Sequence, residues 1–142
     1  MKAVIDSAGG VASRVQLGSH QLLFDQASPV PGGDDRGPSP LDVMAAAVGA
    51  CAHYFAAAFL LARKLSPEGL RVEVEAEKVR EPSPRFGRLS IRITLPSGVP
   101  EHHLPQIERV VRNCPAYGTL LYPPDVELSI AKAAPDARAP AA

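Results

Sequence analysis

A chain of 142 residues, in which 15 Lys and Arg balance 15 Asp and Glu, is long enough for one domain with a core and short for two. With no net charge and its basic residues scattered, it offers no broad cationic surface, which argues against nucleic acid as a partner. Two cysteines do not make the dense disulfide framework of a small secreted domain, and "MKAVIDSAGG" lacks the apolar run of a signal peptide. The expectation is therefore a cytoplasmic protein whose thiols stay reduced unless chemistry oxidises them.

Residues 2–6 and 11–17 read as strands, and Gly18 to His20 as a turn into a third strand, Gln21 to Asp25. Residues 27–39, dense in Pro, Gly and Asp, form a loop. Ser39 is suited to cap a helix, with Pro40 at the first helical position, where its missing N–H costs nothing. Asp42 in the first turn complements the positive end of the helix dipole. The helix continues to Lys64. It approaches the roughly 20 residues that a membrane span requires, yet it is mostly alanine and includes Asp42, Gly49 and His53. It reads as a buried central helix, and no membrane partner is expected.

After a turn at Ser66 to Gly69, two strands follow with period two. Leu70, Val72, Val74 and Ala76 alternate with charged residues, and Leu89, Ile91, Ile93 and Leu95 do the same on the partner. The polar faces, acidic on one strand and basic on the other, favour pairing. A second helix starts between Pro100 and Pro105 and ends at Asn113, with Leu104, Ile107, Val110 and Val111 on one stripe. "CPAYGTLL" reads as a short helical turn and Val126 to Ile130 as a last strand. Residues 132–142 have too little apolar bulk to pack, so the domain is expected over residues 1–131 with a disordered tail beyond.

Strands, a long helix, a hairpin, a helix and a strand make an α+β fold with helices laid on antiparallel sheet. A helix of this length, apolar nearly all round, extends roughly 35 Å, and one sheet covers only one side of it. A second copy covering the other side resolves the difficulty, so an obligate homodimer is expected.

Cys51 on the long helix has several readings: an inert core residue, a metal ligand, half of a structural disulfide or a nucleophile. Free cysteine is among the most buried residue types, and Cys51 would need a cationic neighbour to become a thiolate. Gly49, two residues earlier, offers a place for the helix to break or bend. Cys114 stands between Asn113, which suits a helix end, and Pro115, which suits a helix start, so it falls at a helix N-cap where free N–H groups favour a thiolate. A zinc set assembled from Cys51, His53, His102, His103 and Cys114 fails on spacing, because residues i and i+2 of a helix do not face each other and no CxxC pair exists. Neither metal nor cofactor is expected. His20, His102 and His103 read as surface residues, and His53 as a core or interface histidine.

The Gly-rich loop ending in "GPSP", the Ala-rich helix with "GAC", the hairpin after it and the amphipathic helix ending in "NCP" resemble, in order and spacing over about residues 9–130, the OsmC/Ohr family of organic hydroperoxide reductases. The resemblance implies the OsmC-like fold, with antiparallel sheets packed on a long central helix in an intertwined homodimer that carries two interfacial active sites. It implies Cys51 as the peroxidatic cysteine and Cys114 as its resolving partner, an organic hydroperoxide as substrate, and an external dithiol, lipoyl-type in the family, as reductant. The family's arginine, which pairs with the thiolate, belongs to a "GGR" motif. Here "GGV" (Gly9 to Val11) stands in its place, leaving Arg14 and Arg36 as candidates. The family glutamate that holds this arginine follows the helix-start proline, where this chain has Leu41 and then Asp42. The chain thus looks like a divergent branch.

The leading expectation is a thiol-dependent peroxidase working through a Cys51 sulfenic acid and a Cys51–Cys114 disulfide. The alternative is a non-catalytic dimer that binds a small apolar ligand at its interface. A general disulfide oxidoreductase is disfavoured because its close cysteine pair is absent.

Overall fold

Alternating apolar and polar residues in the first part of the chain produce an antiparallel meander. Strands β1 (Ala3–Ser7), β2 (Ser13–Leu17) and β3 (His20–Phe24) pair in that order, with Ile5 opposite Val15 and Val15 opposite Leu22. In the computed structural model, which describes residues 1–132, this sheet makes no more than marginal contact with the remaining helices and strands. Val4, Ile5 and Leu22 are left exposed.

Helix α1 (Pro40–Ala62) begins where expected. Ser39 is its N-cap, accepting from the Asp42 N–H at 3.2 Å, and Pro40 opens the first turn. The helix runs unbroken through Gly49, where the sequence offered a place for a break. The glycine serves close approach instead: a Cβ at Gly49 would lie 2.5 Å from Cγ2 of Val74. Length and composition would let α1 cross a membrane, but three elements pack along it. Strand β4 (Arg71–Val79) and helices α2 (Leu104–Arg112) and α3 (Pro115–Leu121) cover the face carrying Ala45, Val48, Ala52, Ala56, Phe59 and Leu60. The opposite face, with Met44, Tyr54 and Leu61, is open.

Strand β5 (Arg85–Thr94) pairs antiparallel with β4 and sets Val72 opposite Ile93, Val74 opposite Ile91 and Ala76 opposite Leu89. Those pairs form the inner face. On the outer face Glu73 stands opposite Arg92 and Glu77 opposite Arg88, although the ion pair that closes is Arg71–Glu73 within β4, at 2.9 Å. Ile91 and Ile93 pack on the core of Ala52, Ala56, Phe59, Leu60, Ile107 and Val111.

Residues 126–130, expected as a last strand, form none. Val126, Leu128 and Ile130 are 85%, 86% and 90% exposed. The alternation is strand-like, but a strand exists only when its N–H and C=O groups meet a neighbouring ladder, and among the described residues none lies beside them. The expected tail, apart from Lys132 itself, lies outside the described residues.

Candidate active site

The end of α2 and the start of α3 create the first half of the site. Asn113 closes α2, its N–H bonded back to Arg109 O and Val111 O. Pro115 then opens α3, and between the two helices Cys114 is the N-cap residue, its Sγ accepting from the Tyr117 N–H at 3.4 Å. The second half comes from α1, which carries Cys51 partly exposed on the flank that packs on α3. The Cys51 thiol is near enough to the Cys114 thiol to act on its ionisation. Both cysteines are free.

The N-cap position does not keep the Cys114 pKa below its ordinary value, contrary to the sequence expectation. Burial pushes the thiol above its ordinary value, because Cys114 has no exposed surface and an anion there would lose its hydration. The N–H groups of Tyr117 and Ala116 pull the other way and are outweighed, and the adjoining Cys51 thiol adds to the rise. Desolvation of a full charge exceeds what one or two N–H dipoles return.

The two candidate arginines are placed differently. Arg14 sits in the middle of β2, exposed, opposite Asp6 on one side and Leu23 on the other. Arg36 is built into a fold of the 26–37 loop, and its Nη1 donates to Ala8 O at 2.9 Å. Its guanidinium therefore rests on the Gly9–Gly10 turn, also within 3.5 Å of where a Gly9 Cβ would stand. That is the turn in which the resembling family carries its arginine.

What holds the loop is Asp25, a residue that sequence reading passed over. Its side chain is buried, and its carboxylate accepts from the N–H groups of Gln26 (2.8 Å), Asp34 (3.3 Å) and Arg36 (3.1 Å). The Arg36 N–H, first among these, holds the carboxyl below its usual range against the opposing pull of burial. Gly37 lets the loop return against β3, where a Cβ would run into Leu23 O. An aspartate ending a strand before a Pro- and Gly-rich loop is the signal that would have marked Asp25, since such side chains gather the backbone N–H groups of turns.

Among the described residues Asp42 does not meet an arginine. It bonds Lys78 Nζ at 2.7 Å and accepts from Ser39 Oγ at 2.7 Å, and these two contacts lower its pKa in that order. His53 is exposed at the rim of the cleft between α1 and β4 that Gly49, Val72 and Val74 also line. His103 packs edge-on to Phe59, with ring centroids 5.6 Å apart, and bonds Gln106.

The arrangement can exchange one oxidising event between two thiols, the inner one buried and protonated, the outer one accessible. The sequence matches the family model described as OsmC-like protein over residues 32–129. No curated protein matches the chain by sequence. Among solved structures it is similar to a Psychrobacter arcticus protein, named as a candidate osmotic stress induced and detoxification response protein, at a TM-score of 0.75. The identity is 15%, with 84% of this chain and 87% of that chain covered. An OsmC-like protein from Mycoplasma pneumoniae superposes with a TM-score of 0.68 at 18% identity, covering 84% of each chain. The organic hydroperoxide resistance protein OsmC of Legionella pneumophila, also titled a predicted redox protein, reaches 0.60 at 16% identity, covering 84% of this chain and 87% of its own.

Proposed function

The chain belongs to the OsmC-like protein family, and from that premise we propose that it is a cytoplasmic, homodimeric thiol-dependent peroxidase that reduces organic hydroperoxides, with residues 1–131 acting as one domain. The observation that carries this reading is the meeting of the Cys51 and Cys114 thiols, brought together from different helices far apart in the sequence.

The chemistry proceeds in three balanced steps. The Cys51 thiolate attacks the distal peroxide oxygen, the O–O bond breaks, and the alkoxide leaves as alcohol on taking up a proton, so sulfur is oxidised to sulfenic acid and peroxide reduced. The Cys114 thiol then condenses with the sulfenic acid, forming the S–S bond and releasing water. Two thiol–disulfide exchanges with an external dithiol, of the lipoyl type in the family, restore both thiols. A buried Cys114 that keeps its proton is a poor nucleophile toward peroxide, which leaves the first attack to Cys51; in the second step its proton goes to the departing hydroxide as its sulfur attacks the sulfenic sulfur.

The dimer supplies what one chain lacks. Among the described residues the β1–β3 sheet makes no more than marginal contact with the other helices and strands, while the outer face of α1 and the 126–130 segment stay open. A second copy satisfies these together. In that assembly Arg36, fixed on the glycine turn by Asp25, is the guanidinium that activates Cys51, in preference to Arg14 on its exposed strand. Asp42, bonded to Ser39 and Lys78, secures the start of α1.

The test is a thiol count before and after one equivalent of cumene hydroperoxide. The expected result is loss of two thiols per chain with no crosslink between chains, and Cys51→Ser devoid of turnover. Retention of both thiols ends the proposal and leaves the non-catalytic apolar-ligand dimer. Cys114→Ser should accumulate a sulfenic acid that a dimedone-type reagent traps.

A further inference from the structure

Among the described residues, two guanidiniums with no carboxylate partner stand, together with Gln106, at one cleft of mixed polar and apolar lining near the end of α1. The cleft, about 490 Å³ in volume, lies between the last turns of α1 and the side of α2 and is walled by Phe55, Ala58, Phe59 and Val110, with Arg63 and Arg109 beside them. The guanidinium carbon of Arg63 sits 3.5 Å from the centroid of the Phe59 ring, and its Nη1 donates to Phe59 O at 3.4 Å. Among the described residues neither arginine closes an ion pair, and no Asp or Glu lines the cleft.

The Phe59 ring and carbonyl hold the Arg63 guanidinium in place, but they do not neutralise its charge, and the Arg109 charge beside the same cleft adds to it. An anion with an apolar body satisfies both halves of the arrangement. A carboxylate matches the planar fork of arginine, which binds it with paired, charge-assisted hydrogen bonds. An acyl chain matches the Phe and Ala walls.

The position of the cleft relative to the sulfur gives it direction. Cys51, Phe55 and Ala58 share one stripe of α1 at i, i+4 and i+7, so the cleft continues the row that carries Cys51. Eight residues separate Cys51 from Phe59, over whose ring the Arg63 guanidinium lies; this is roughly 12 Å along the axis, the span of a medium-chain acyl group.

We infer that this cleft is a carboxylate-binding subsite, in which Arg63 and Arg109 hold the head of an acyl ligand whose chain runs over Phe55 and Ala58 towards Cys51. That the chain end presents a peroxide to Cys51 rests on the peroxidase reading, whereas the carboxylate site stands without it.

The experiment is calorimetric titration of the full-length protein with decanoate and with decanol, which share a chain and differ in charge. Decanoate is expected to bind at least about tenfold more tightly than decanol. Arg63→Gln and Arg109→Gln each reduce that preference and together abolish it, with decanol affinity unchanged. Equal affinity for acid and alcohol, no binding of either, or a preference that survives in the double variant overturns the subsite. Cumene hydroperoxide, which is uncharged, separates the two proposals. Arginine-dependent decanoate binding by a protein inert to cumene hydroperoxide supports the subsite and removes the peroxidase reading. Normal cumene hydroperoxide turnover without acid preference does the reverse.

Discussion

Replacing Gly49 by alanine sets two opposing effects against each other at the contact that seats α1 on β4. In a free helix the change is favourable by about 1 kcal/mol, because glycine is the costlier residue in a helix interior. Here the new methyl would stand 2.5 Å from Cγ2 of Val74 and 3.7 Å from Cγ1 of Val72. Val74 is half-buried and points inward from the middle of β4, and a β-branched side chain has little χ1 freedom with which to move aside. Overpacking of this kind costs about 1–3 kcal/mol. The balance is a net loss of roughly 0–2 kcal/mol, which lowers Tm by a few degrees at about 2–4 °C per kcal/mol for a chain near this size. The sharper assay is a double-mutant cycle by thermal melts at fixed protein concentration. With Val74→Ala in the background the clash is gone, and Gly49→Ala should then stabilise by about 1 kcal/mol. If Gly49→Ala raises Tm equally with Val74 in place, the close approach of α1 to β4 is not what requires glycine, and the account fails.

The remaining predictions concern capping, titration and assembly. Ser39→Ala removes the N-cap acceptor of α1 and should cost about 1 kcal/mol in a denaturant melt. Because the Cys114 pKa is raised in the folded chain, the protonated thiol favours folding below the ordinary thiol pKa of about 8.5, and that advantage is lost as pH rises towards the folded value; Tm should fall in this alkaline window in the reduced protein and fall less in Cys114→Ser. Asp25 has the opposite sign: its lowered pKa gives stability that is present above about pH 3.9 and lost as pH drops through the folded value, so Asp25→Asn should flatten the acid side of the stability profile. Replacing Val126, Leu128 and Ile130 by aspartate leaves the fold of a single chain untouched, because all three are exposed in it; sedimentation should show a weakened dimer, and an unchanged dimer would remove this segment from the interface.

Much of the fold was legible because its signals are local. Ser39 and Pro40 announced the start of α1 from adjacent positions, and the period-two runs at 70–76 and 89–95 became facing strands with the apolar residues paired. Asn113-Cys114-Pro115 likewise marked the junction of α2 and α3. Where reading failed, the missing information was a neighbour. Gly49 looked like a flaw in a helix until Val74 was beside it. Residues 126–130 have a strand's alternation and, among the described residues, no ladder to join. Asp25 looked like the end of a strand, and its meaning lies in N–H groups as distant as those of Asp34 and Arg36.

That Cys114 caps one helix and Cys51 rides on another could be read from neighbouring residues alone, because caps and helical stripes depend on residues within a turn or two. Only the tertiary structure decided that the two thiols meet, that Cys114 stays protonated and that Arg36 rather than Arg14 rests on the glycine turn. Proximity and desolvation are sums over atoms contributed by remote parts of the chain, and no local pattern of residues carries them.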